Sequence, residues 1–319
     1  MKDFIIILAF FAAAVFALPL LGQHSSDPAE PVTAPVFPDT VRVYLTERDE
    51  TVTVTAGEYI EGCLAAQIPI DYRPEALKAQ AAASATYALR LMDELAGSGK
   101  IPAGADISDD KRLCQPYMPP EQREETYGVQ YQSCADALKA AARYGITHIM
   151  TYDGKPIYAV YHSVSAGATC PSEYVWGQKL PYLRRAESRW DTGYINYECS
   201  NELRSEDIRA ALSRYDSSIE VPVDPARWFT DMNADEYGYV ISVNIGKNRF
   251  SGGELWRILG LRSTAFTVTY TDNIFTFTTR GFGHGAGLSQ YGANEMAGEG
   301  SSAEEILRHY YGEDIQIVD

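Results

Sequence analysis

The segment GFGHGAGLSQYGA, from Gly281 to Ala293, combines reactive residue types with a backbone that has unusual freedom. It holds five glycines among its first twelve residues and places His284, Gln290 and Tyr291 between them. Glycine permits left-handed torsions and close backbone approach, so one interpretation is a loop that presents these three side chains to a ligand. The alternative is a tight strand-to-helix connection with one satisfied histidine, and spacing alone favours neither.

This glycine-rich segment does not match the common nucleotide-binding motifs. No strand-helix unit with an acidic ribose ligand follows it, as a dinucleotide fingerprint requires, and no Gly-Lys-Ser/Thr follows, as a P-loop requires. The chain carries 27 Lys+Arg against 43 Asp+Glu, a formal charge of -16. That charge would repel a phosphate backbone, which argues against nucleic acid as a partner and favours a neutral or weakly charged polymer.

A second candidate position lies in the segment GEYIEGCLAAQIP. Its apolar residues recur at helical spacing, at Ile60, Cys63 and Leu64. Gln67 follows at i+7 and therefore ends an otherwise apolar, inward-facing stripe, before Pro69 stops the predicted helix. An amide at the end of a buried stripe is unusual, which marks position 67 as a candidate site.

The elements that would position Gln67 form the first half of the folded body. Alternating residues over 41–45 and 51–55 predict a β-hairpin. A long helix with a stripe of small residues is expected to begin at Pro74, where proline is tolerated in the first turn. Residues 97–127 are rich in glycine, proline and charge and are predicted to form a loop, after which a third helix ends at Gly145.

The elements that would position the glycine-rich segment form the second half. The sequence THIMTYDGKPIYAVYHSVS predicts a hairpin with its turn at Asp153 and Gly154, which would bring His162 and Ser163 to the end of its second strand. Residues 166–182 are irregular, and long structured loops of this kind are often functional. The remaining predicted elements are helices over 201–213, 252–259 and 303–311 and strands over 238–245, 266–270 and 275–279.

Helices and strands are interspersed without βαβ regularity, so the predicted fold class is α+β with antiparallel sheets.

The first residues of the chain indicate the compartment in which the protein lies. Nineteen residues from Phe4 to Gly22 carry no charge, and as a helix they would span about 28 Å, enough to cross a bilayer core. They form either a signal sequence or an anchor, and Pro19 at the exit, without small residues spaced by one, favours the anchor. Residues 23–40 contain four prolines and predict an extended tether, with the body beginning near Val41.

The cysteines do not indicate a metal site or a disulfide framework, because their number is odd and no CxxC pair occurs. Burial as small apolar residues is the preferred interpretation. His162 and one cysteine could donate to a metal, but two donors at this spacing are weak support, so no metal and no cofactor is predicted. The five cysteines are Cys63, Cys114, Cys134, Cys170 and Cys199.

Four segments, in chain order, together resemble the SpoIID/LytB family. The match runs from about Val41 to the C-terminus, and GHGAGLSQYGA is its most specific part. The resemblance implies a single elaborate domain over 41–319 with a central groove, and a lytic transglycosylase that cleaves glycan strands of peptidoglycan. It also implies an amidase and a membrane scaffold as partners in forespore engulfment. The segments are EYIEGCLAAQIPIDYRPEALKAQAAASATYALR, YDGKPIYAVYHSVSAGATCPSEYVWG, LPYLRRAESRWD and GFGHGAGLSQYGANEMAGEGSSAEEILRHYYG.

The resemblance places the family's catalytic glutamate at Gln67. Such an acid protonates the leaving glycosidic oxygen and then accepts the proton of the sugar's 6-hydroxyl. An amide cannot do this, and removing a general acid typically slows a reaction by about 10²- to 10⁴-fold. Glu61 faces away from position 67 on a helix, and Glu75 lies in a first turn where it complements the helix dipole. The chain is therefore either a glycan-cleaving enzyme or a degenerate glycan-binding or amidase-stimulating protein, with a purely structural engulfment component as a third possibility.

Two other positions depart from the family's pattern. Ala85 stands where the family usually has arginine. Some relatives carry a zinc site of two cysteines and a histidine, and here the corresponding positions are Ser108, Leu113 and Cys114, which leaves a single thiol. The remaining matched positions are predicted to contact substrate, together with His284, Gln290 and Tyr291; they are Lys78, Gln80, Tyr87, His162, Ser163 and Ser165.

Overall fold

The computed structural model of the chain describes residues 34–318. The predicted anchor over residues 1–22 and the first part of the tether lie outside the described residues. Between residues 34 and 318, no helix combines the length and apolar character needed to cross a bilayer. Phe37, near the end of the predicted tether, is buried and stacks on Tyr59 with ring centroids 6.5 Å apart.

The described residues form nine α-helices and two short 3₁₀ turns, Arg189–Gly193 and Pro225–Arg227. The helices are α1 Ala56–Gln67, α2 Pro74–Leu95, α3 Pro120–Tyr127, α4 Val129–Thr147, α5 Ser172–Trp176, α6 Ser205–Tyr215, α7 Gly252–Leu259, α8 Gln290–Gly298 and α9 Ala303–Tyr311.

The strands belong to small sheets, most of them antiparallel. The strands are β1 Thr40–Leu45, β2 Glu50–Thr55, β3 Ile107–Ser108, β4 Ile149–Tyr152, β5 Lys155–Pro156, β6 Tyr161–His162, β7 Glu198–Arg204, β8 Phe229–Ala234, β9 Val240–Ile245, β10 Asn248–Phe250, β11 Ala265–Thr271, β12 Ile274–Arg280, β13 Leu288–Ser289 and β14 Gln316–Val318.

The chain divides into two compact units. The first unit contains the described residues up to Val160 and those from Ala293 onward, and the second unit runs from Tyr161 to Gly292. The predicted fold class, α+β with antiparallel sheets, is confirmed. The central groove, the domain limits at residues 22 and 40 and the single domain over 41–319 stay predictions.

In the first unit, the opening hairpin leads directly into α1. Strands β1 and β2 pair antiparallel with Val43 opposite Val52, which confirms the predicted hairpin. The Thr55 side chain accepts from the Glu58 N–H while the Glu58 carboxylate accepts from the Thr55 N–H, a capping box that fixes where α1 begins. Ile60, on the inward stripe of α1, is fully buried, as its helical spacing predicts.

Helices α2 and α4 pack against each other through small residues. Ala81 and Ala85 of α2 are fully buried, and Gly145 lies near the end of α4. A methyl group added to Gly145 would come within 2.6 Å of the carbonyl of Ala81, so glycine sets the distance between these helices.

The last elements of the chain complete the first unit. The N–H of Ala303, at the start of α9, donates to Glu75 Oε2 at 2.9 Å, and the Tyr311 hydroxyl donates to the Val160 carbonyl at 2.8 Å. Strand β14 pairs antiparallel with β4, with Ile317 opposite Met150. The predicted helix over 303–311 is confirmed.

The second unit contains two three-stranded antiparallel sheets, in the orders β11-β12-β7 and β10-β9-β8. Phe275 of β12 is buried and stacks on Trp228 with centroids 5.4 Å apart, which anchors one sheet in an aromatic core. Strand β13 pairs in parallel with β6, with Leu288 opposite Tyr161. This short pairing brings the glycine-rich segment beside His162.

Four predictions about local structure are wrong, one of them the irregular segment over 166–182, which contains α5. Residues 201–204 form the end of β7 rather than a helix, because Leu203 pairs with Phe275 of β12, and α6 begins only at Ser205. The hairpin turns at Asp153 as predicted, but its second strand ends at Pro156, whose ring nitrogen has no proton to donate to a ladder. His162 lies instead on β6, and the predicted loop over 97–127 includes β3 and α3.

Replacing Gly145 by alanine tests the close contact between α2 and α4. Because the added methyl meets main-chain atoms of Ala81 that cannot rotate away, we expect Gly145→Ala to lower the free energy of unfolding by about 1–3 kcal/mol, measured by chemical denaturation. Gly57→Ala in α1 is the matched control, since no atom lies within 4 Å of its added methyl. Equal stability of the two variants would contradict the packing argument.

Candidate functional site

Gln67 is the last residue of α1 and is only 7% exposed. Its Nε2 donates to two main-chain carbonyls, that of Cys63 at 3.1 Å and that of Pro116 at 3.2 Å. The helix ends here because the next residue, Ile68, is extended and precedes Pro69. The side chain of Gln67 therefore joins the end of α1 to the segment around Pro116.

Two carbonyl oxygens facing one side-chain atom restrict what position 67 can hold. An amide nitrogen satisfies both carbonyls as a donor, whereas an ionised carboxylate oxygen at the same place would be repelled by them. A protonated carboxylic acid could donate to one of the two. The surroundings of Gln67 thus favour the neutral form of an acid, which is the form that a general acid needs before it reacts, but glutamine itself transfers no proton.

The residues around Gln67 are buried and neutral. Gln115 Nε2 donates to the Ser84 carbonyl at 2.9 Å and to the Tyr59 hydroxyl at 3.2 Å. Burial raises the pKa of Cys63 to about 12 and that of Cys114 to about 12, so both thiols stay protonated at neutral pH. A thiol of this kind is a packing residue, because metal binding and nucleophilic attack both need the thiolate.

Ser108 and Cys114, which stand at two positions of the zinc site of some relatives, are both buried. The Ser108 hydroxyl donates to the Tyr44 carbonyl at 3.3 Å, which gives this side chain a structural use. Neither residue offers an available thiolate, and these positions do not fit a zinc ion. Throughout residues 34–318, no three His, Cys, Asp or Glu side chains form a group that could hold a metal ion.

Lys78, Gln80 and Tyr87 are spread along α2 within the first unit. Lys78 Nζ lies 2.7 Å from Glu75 Oε1, at the partly exposed start of the helix. Gln80 Nε2 donates to the Ser84 hydroxyl at 3.2 Å, and both Gln80 and Tyr87 have no exposed surface. Their predicted contact with substrate stays a prediction.

Glu61, the nearest glutamate before Gln67 on α1, forms a structural ion pair with Arg123. Its Oε2 lies 3.5 Å from Arg123 Nη1, and burial raises the pKa of the Glu61 carboxyl. Arg123 in turn donates to the carbonyls of Met118 and Glu58. These contacts describe a buried ion pair that holds α1 to α3.

In the second unit, the main-chain N–H and carbonyl of one residue, Ala286, fix the protons of two histidines. His162 Nδ1 lies 3.1 Å from the carbonyl of Ala286 and must donate to it, so the lone pair of His162 is on Nε2. The N–H of Ala286 donates to His284 Nδ1 at 3.1 Å, so the proton of His284 is on Nε2. The two ring centroids are 5.7 Å apart. With opposite tautomers, the pair cannot offer two Nε2 lone pairs to one metal ion.

Burial keeps both histidines neutral. His284 lies against Trp176 and Trp256, with ring centroids 5.1 Å and 6.0 Å apart. Burial lowers the pKa of His162 to about 4 and holds the pKa of His284 well below its ordinary value. Neither imidazole carries a charge at neutral pH. Both side chains therefore contribute packing and hydrogen bonds, and neither is an imidazolium that could act as a general acid.

The glycine-rich segment passes close to β6. A methyl group on Gly283, whose φ is +111°, would lie 2.8 Å from Cβ of His162. His284 is almost fully buried, so the segment has the geometry of a tight connection from β12 to β13 and α8. The predicted contacts of His284, Gln290 and Tyr291 with substrate stay predictions.

Asp191 is a buried carboxylate that the sequence analysis did not single out. Its Oδ2 accepts from the N–H of Ser165 at 2.7 Å, and its Oδ1 accepts from the Ser289 hydroxyl at 3.0 Å. Burial raises the pKa of Asp191 to about 6 in spite of these bonds and one from Ser188. Its place in the segment LPYLRRAESRWD, which resembles the family, could have drawn attention to Asp191. Nothing in that segment predicts that its hydrogen-bond partners are Ser165 and Ser289.

Three further contacts in the second unit involve predicted residues. The Ser163 carbonyl accepts from the Tyr291 N–H at 3.1 Å, and the Ser165 hydroxyl accepts from the Gly167 N–H at 3.2 Å. Tyr291 is half-buried and packs edge-on against Tyr194, with ring centroids 5.0 Å apart. The predicted residues that lie in this unit are His162, Ser163, Ser165, His284, Gln290 and Tyr291.

Replacing Gln67 by glutamate tests the two-carbonyl environment. We expect the pKa of the new carboxyl to be raised above its unfolded value of about 4.3, so its contribution to stability is present below that pH and is lost as pH rises through the folded pKa. Relative to the native chain, Gln67→Glu should lose about 1–3 kcal/mol of unfolding free energy between pH 4 and pH 8. Denaturant titrations at both pH values measure this.

The matched control for that experiment is Gln122→Glu, because Gln122 is exposed in α3. Its carboxyl should remain near the ordinary pKa and add no pH dependence of its own. If both glutamate variants respond alike to pH, the carbonyls of Cys63 and Pro116 do not discriminate between an acid and its ion.

The chain is similar to known sporulation proteins over most of its length. The family model described as Stage II sporulation protein, SpoIID, matches residues 44–152. Stage II sporulation protein D of Bacillus amyloliquefaciens is 33% identical, over 91% of this chain and 82% of that protein. The protein of the same name from Bacillus subtilis (strain 168) is 29% identical, over 98% of this chain and 94% of the relative. An amidase enhancer of the same strain is 25% identical, over 79% of this chain and 39% of its own length.

Proposed function

Because the chain belongs to the SpoIID family, we propose that it is a sporulation protein of the cell wall that binds the glycan strands of peptidoglycan without cleaving them. The observation that carries this proposal is the state of position 67. Where the family's motif has a glutamate, this chain has an amide whose nitrogen is held by the carbonyls of Cys63 and Pro116. The side chain keeps the position filled and supplies no proton.

The rest of the chain supports binding of a neutral or weakly charged polymer. A formal charge of -16 disfavours phosphate polymers as the main target. Aromatic rings such as that of Tyr291 offer a flat, partly polar surface of the kind that packs well on sugar rings. The other titratable candidates of the second unit do not replace the acid, since His162 and His284 are buried and neutral and Asp191 is bonded internally.

A purified full-length chain, incubated with peptide-stripped glycan strands, tests the proposal. We expect the strands to co-sediment with the protein and no anhydro-muramic products to appear by mass spectrometry. Gln67→Glu should bind to the same extent, and any products it releases would show that glutamate at this position restores chemistry. Release of anhydro products by the native chain would refute a binding-only role, and failure of the native chain to bind would refute the target.

The similarity to an amidase enhancer motivates a second proposed role, which is that the bound chain stimulates a cell-wall amidase. Adding the native chain to a cell-wall amidase should speed release of stem peptides from intact peptidoglycan, with the Gln67→Glu variant equally effective, if the bound chain presents strands to that enzyme. An amidase that works at the same rate with and without the chain would limit the function to glycan binding.

We also propose that residues 4–22 anchor the protein in the cell membrane with its bulk on the outer, extracytoplasmic side. The support is the uncharged length of this segment and the wall as target. The native chain should then remain in the membrane fraction after a high-salt wash, while a chain with this segment replaced by a cleavable signal should leave it. Recovery of the native chain in the soluble fraction would contradict the anchor.

A further inference from the structure

Strand β7 is an edge strand of the sheet β11-β12-β7 in the second unit. Its inner edge pairs with β12 without a break, from Glu198 opposite Arg280 to Arg204 opposite Ile274. Among residues 34–318, no strand pairs with its outer edge and no other main-chain hydrogen bond reaches it. The N–H and carbonyl groups of that edge are therefore available to a further strand.

The edge strands of the other three-stranded sheet in this unit are protected in ways that β7 is not. Strand β8 is interrupted by register shifts around Asn233, and β10 is only three residues long. Bulges and short strands hinder the addition of a further strand, as do proline and lysine on an edge. Strand β7 has seven residues, no register shift, and no proline, glycine or lysine.

The charges on β7 are self-complementary when the strand is paired antiparallel with itself about Asn201. In that register Glu198 lies opposite Arg204 of the second copy, and the symmetric pair repeats this contact. Opposite charges placed directly across two strands are favourable. Within the chain, Glu198 pairs with Arg280 and Arg204 with Glu206, but these are exposed pairs of the kind that contribute little and can rearrange.

We propose that the outer edge of β7 binds β7 of a second copy of this chain, with a two-fold axis at Asn201. This register pairs all seven residues of the strand. A shift by two residues places Glu198 opposite Glu202 of the second copy, or Glu202 opposite its own counterpart, and like charges across strands are unfavourable. A shift by one residue brings the inward face of one strand against the outward face of the other.

The same register extends the apolar face of the sheet. Cys199 and Leu203 are half-buried and lie on the same face of β7, and Leu203 pairs with buried Phe275 of β12. In the proposed dimer each Leu203 lies opposite Cys199 of the second copy. The half-buried side chains of the two copies therefore cover each other.

The size of the edge sets the strength of the dimer. Seven residues are few compared with the roughly 20–30 residues a side of a stable interface, so the dimer should be weak and depend on local concentration. Two joined copies would carry two glycan-binding surfaces, and linked sites raise the overall affinity for a polymer. That consequence rests on the proposed function, whereas the dimer itself does not.

Disulfide cross-linking of the purified full-length chain tests the pairing. Asn201→Cys places two thiols opposite each other, where paired antiparallel residues have Cα atoms about 4.5–5.5 Å apart, within the range of a disulfide. Ser200→Cys is the matched control, because Ser200 is also exposed on β7 but lies opposite Glu202 of the second copy. Mild oxidation should give a disulfide-linked dimer of Asn201→Cys and leave Ser200→Cys and the native chain monomeric.

Charge exchange in the Asn201→Cys background tests the register. Arg204→Glu should slow cross-linking by about tenfold or more, because two opposite-charge pairs become like-charge pairs. Glu198→Arg/Arg204→Glu restores opposite charges across the axis and should restore the rate. Arg227→Glu, at an exposed position elsewhere in the second unit, controls for the change in net charge and should leave the rate unchanged.

Three outcomes would overturn the proposal. The first is equal cross-linking of Asn201→Cys and Ser200→Cys, and the second is a double exchange that stays as slow as Arg204→Glu while circular dichroism shows a folded chain. The third is no cross-link at position 201 together with a loss of affinity for a cell-wall amidase in Arg204→Glu, which would assign this edge to a different protein.

Discussion

The buried carboxylate of Asp191 is the contact on which the geometry of the second unit depends. It joins two segments that are far apart in sequence, through the N–H of Ser165 and the hydroxyl of Ser289. Removing a carboxylate from water is costly, and these hydrogen bonds offset part of that cost. Asp191 therefore holds together the segments that carry His162 and Tyr291, and Asp191 itself has no exposed surface.

A comparable constraint operates at Gln67 in the first unit, with a different chemical outcome. There the carbonyls of Cys63 and Pro116 supply two acceptors, and the side chain must be a donor. A protonated glutamate could donate to one of the two carbonyls and could still exchange its proton. Glutamine donates to both carbonyls and cannot act as an acid. The hydrogen bonding at this position therefore suits glutamine better than an ionised glutamate, and this is the basis of the binding role proposed above.

The sequence predicts those parts of the fold that depend on local pattern. The hairpin before α1, the helix from Pro74 and the helix over 303–311 follow from alternation, helical spacing and capping residues, and all three occur as expected. Leu203 was assigned wrongly because its pairing with Phe275 spans more than seventy residues, and local helical spacing contains no information about it. Family resemblance brought the six candidate residues of the second unit to notice, yet it could not show that Asp191 connects their segments.

The order of the two units along the chain has a consequence for folding during synthesis. The ends of the second unit lie side by side, because Tyr161 of β6 pairs with Leu288 of β13, so this unit can close as soon as residue 292 is made. The first unit cannot, since Glu75 and Val160 receive their hydrogen bonds from Ala303 and Tyr311. The part of the chain that is made first is thus completed last, and until then α2 lacks its neighbour α9 and exposes apolar surface that invites association with other chains.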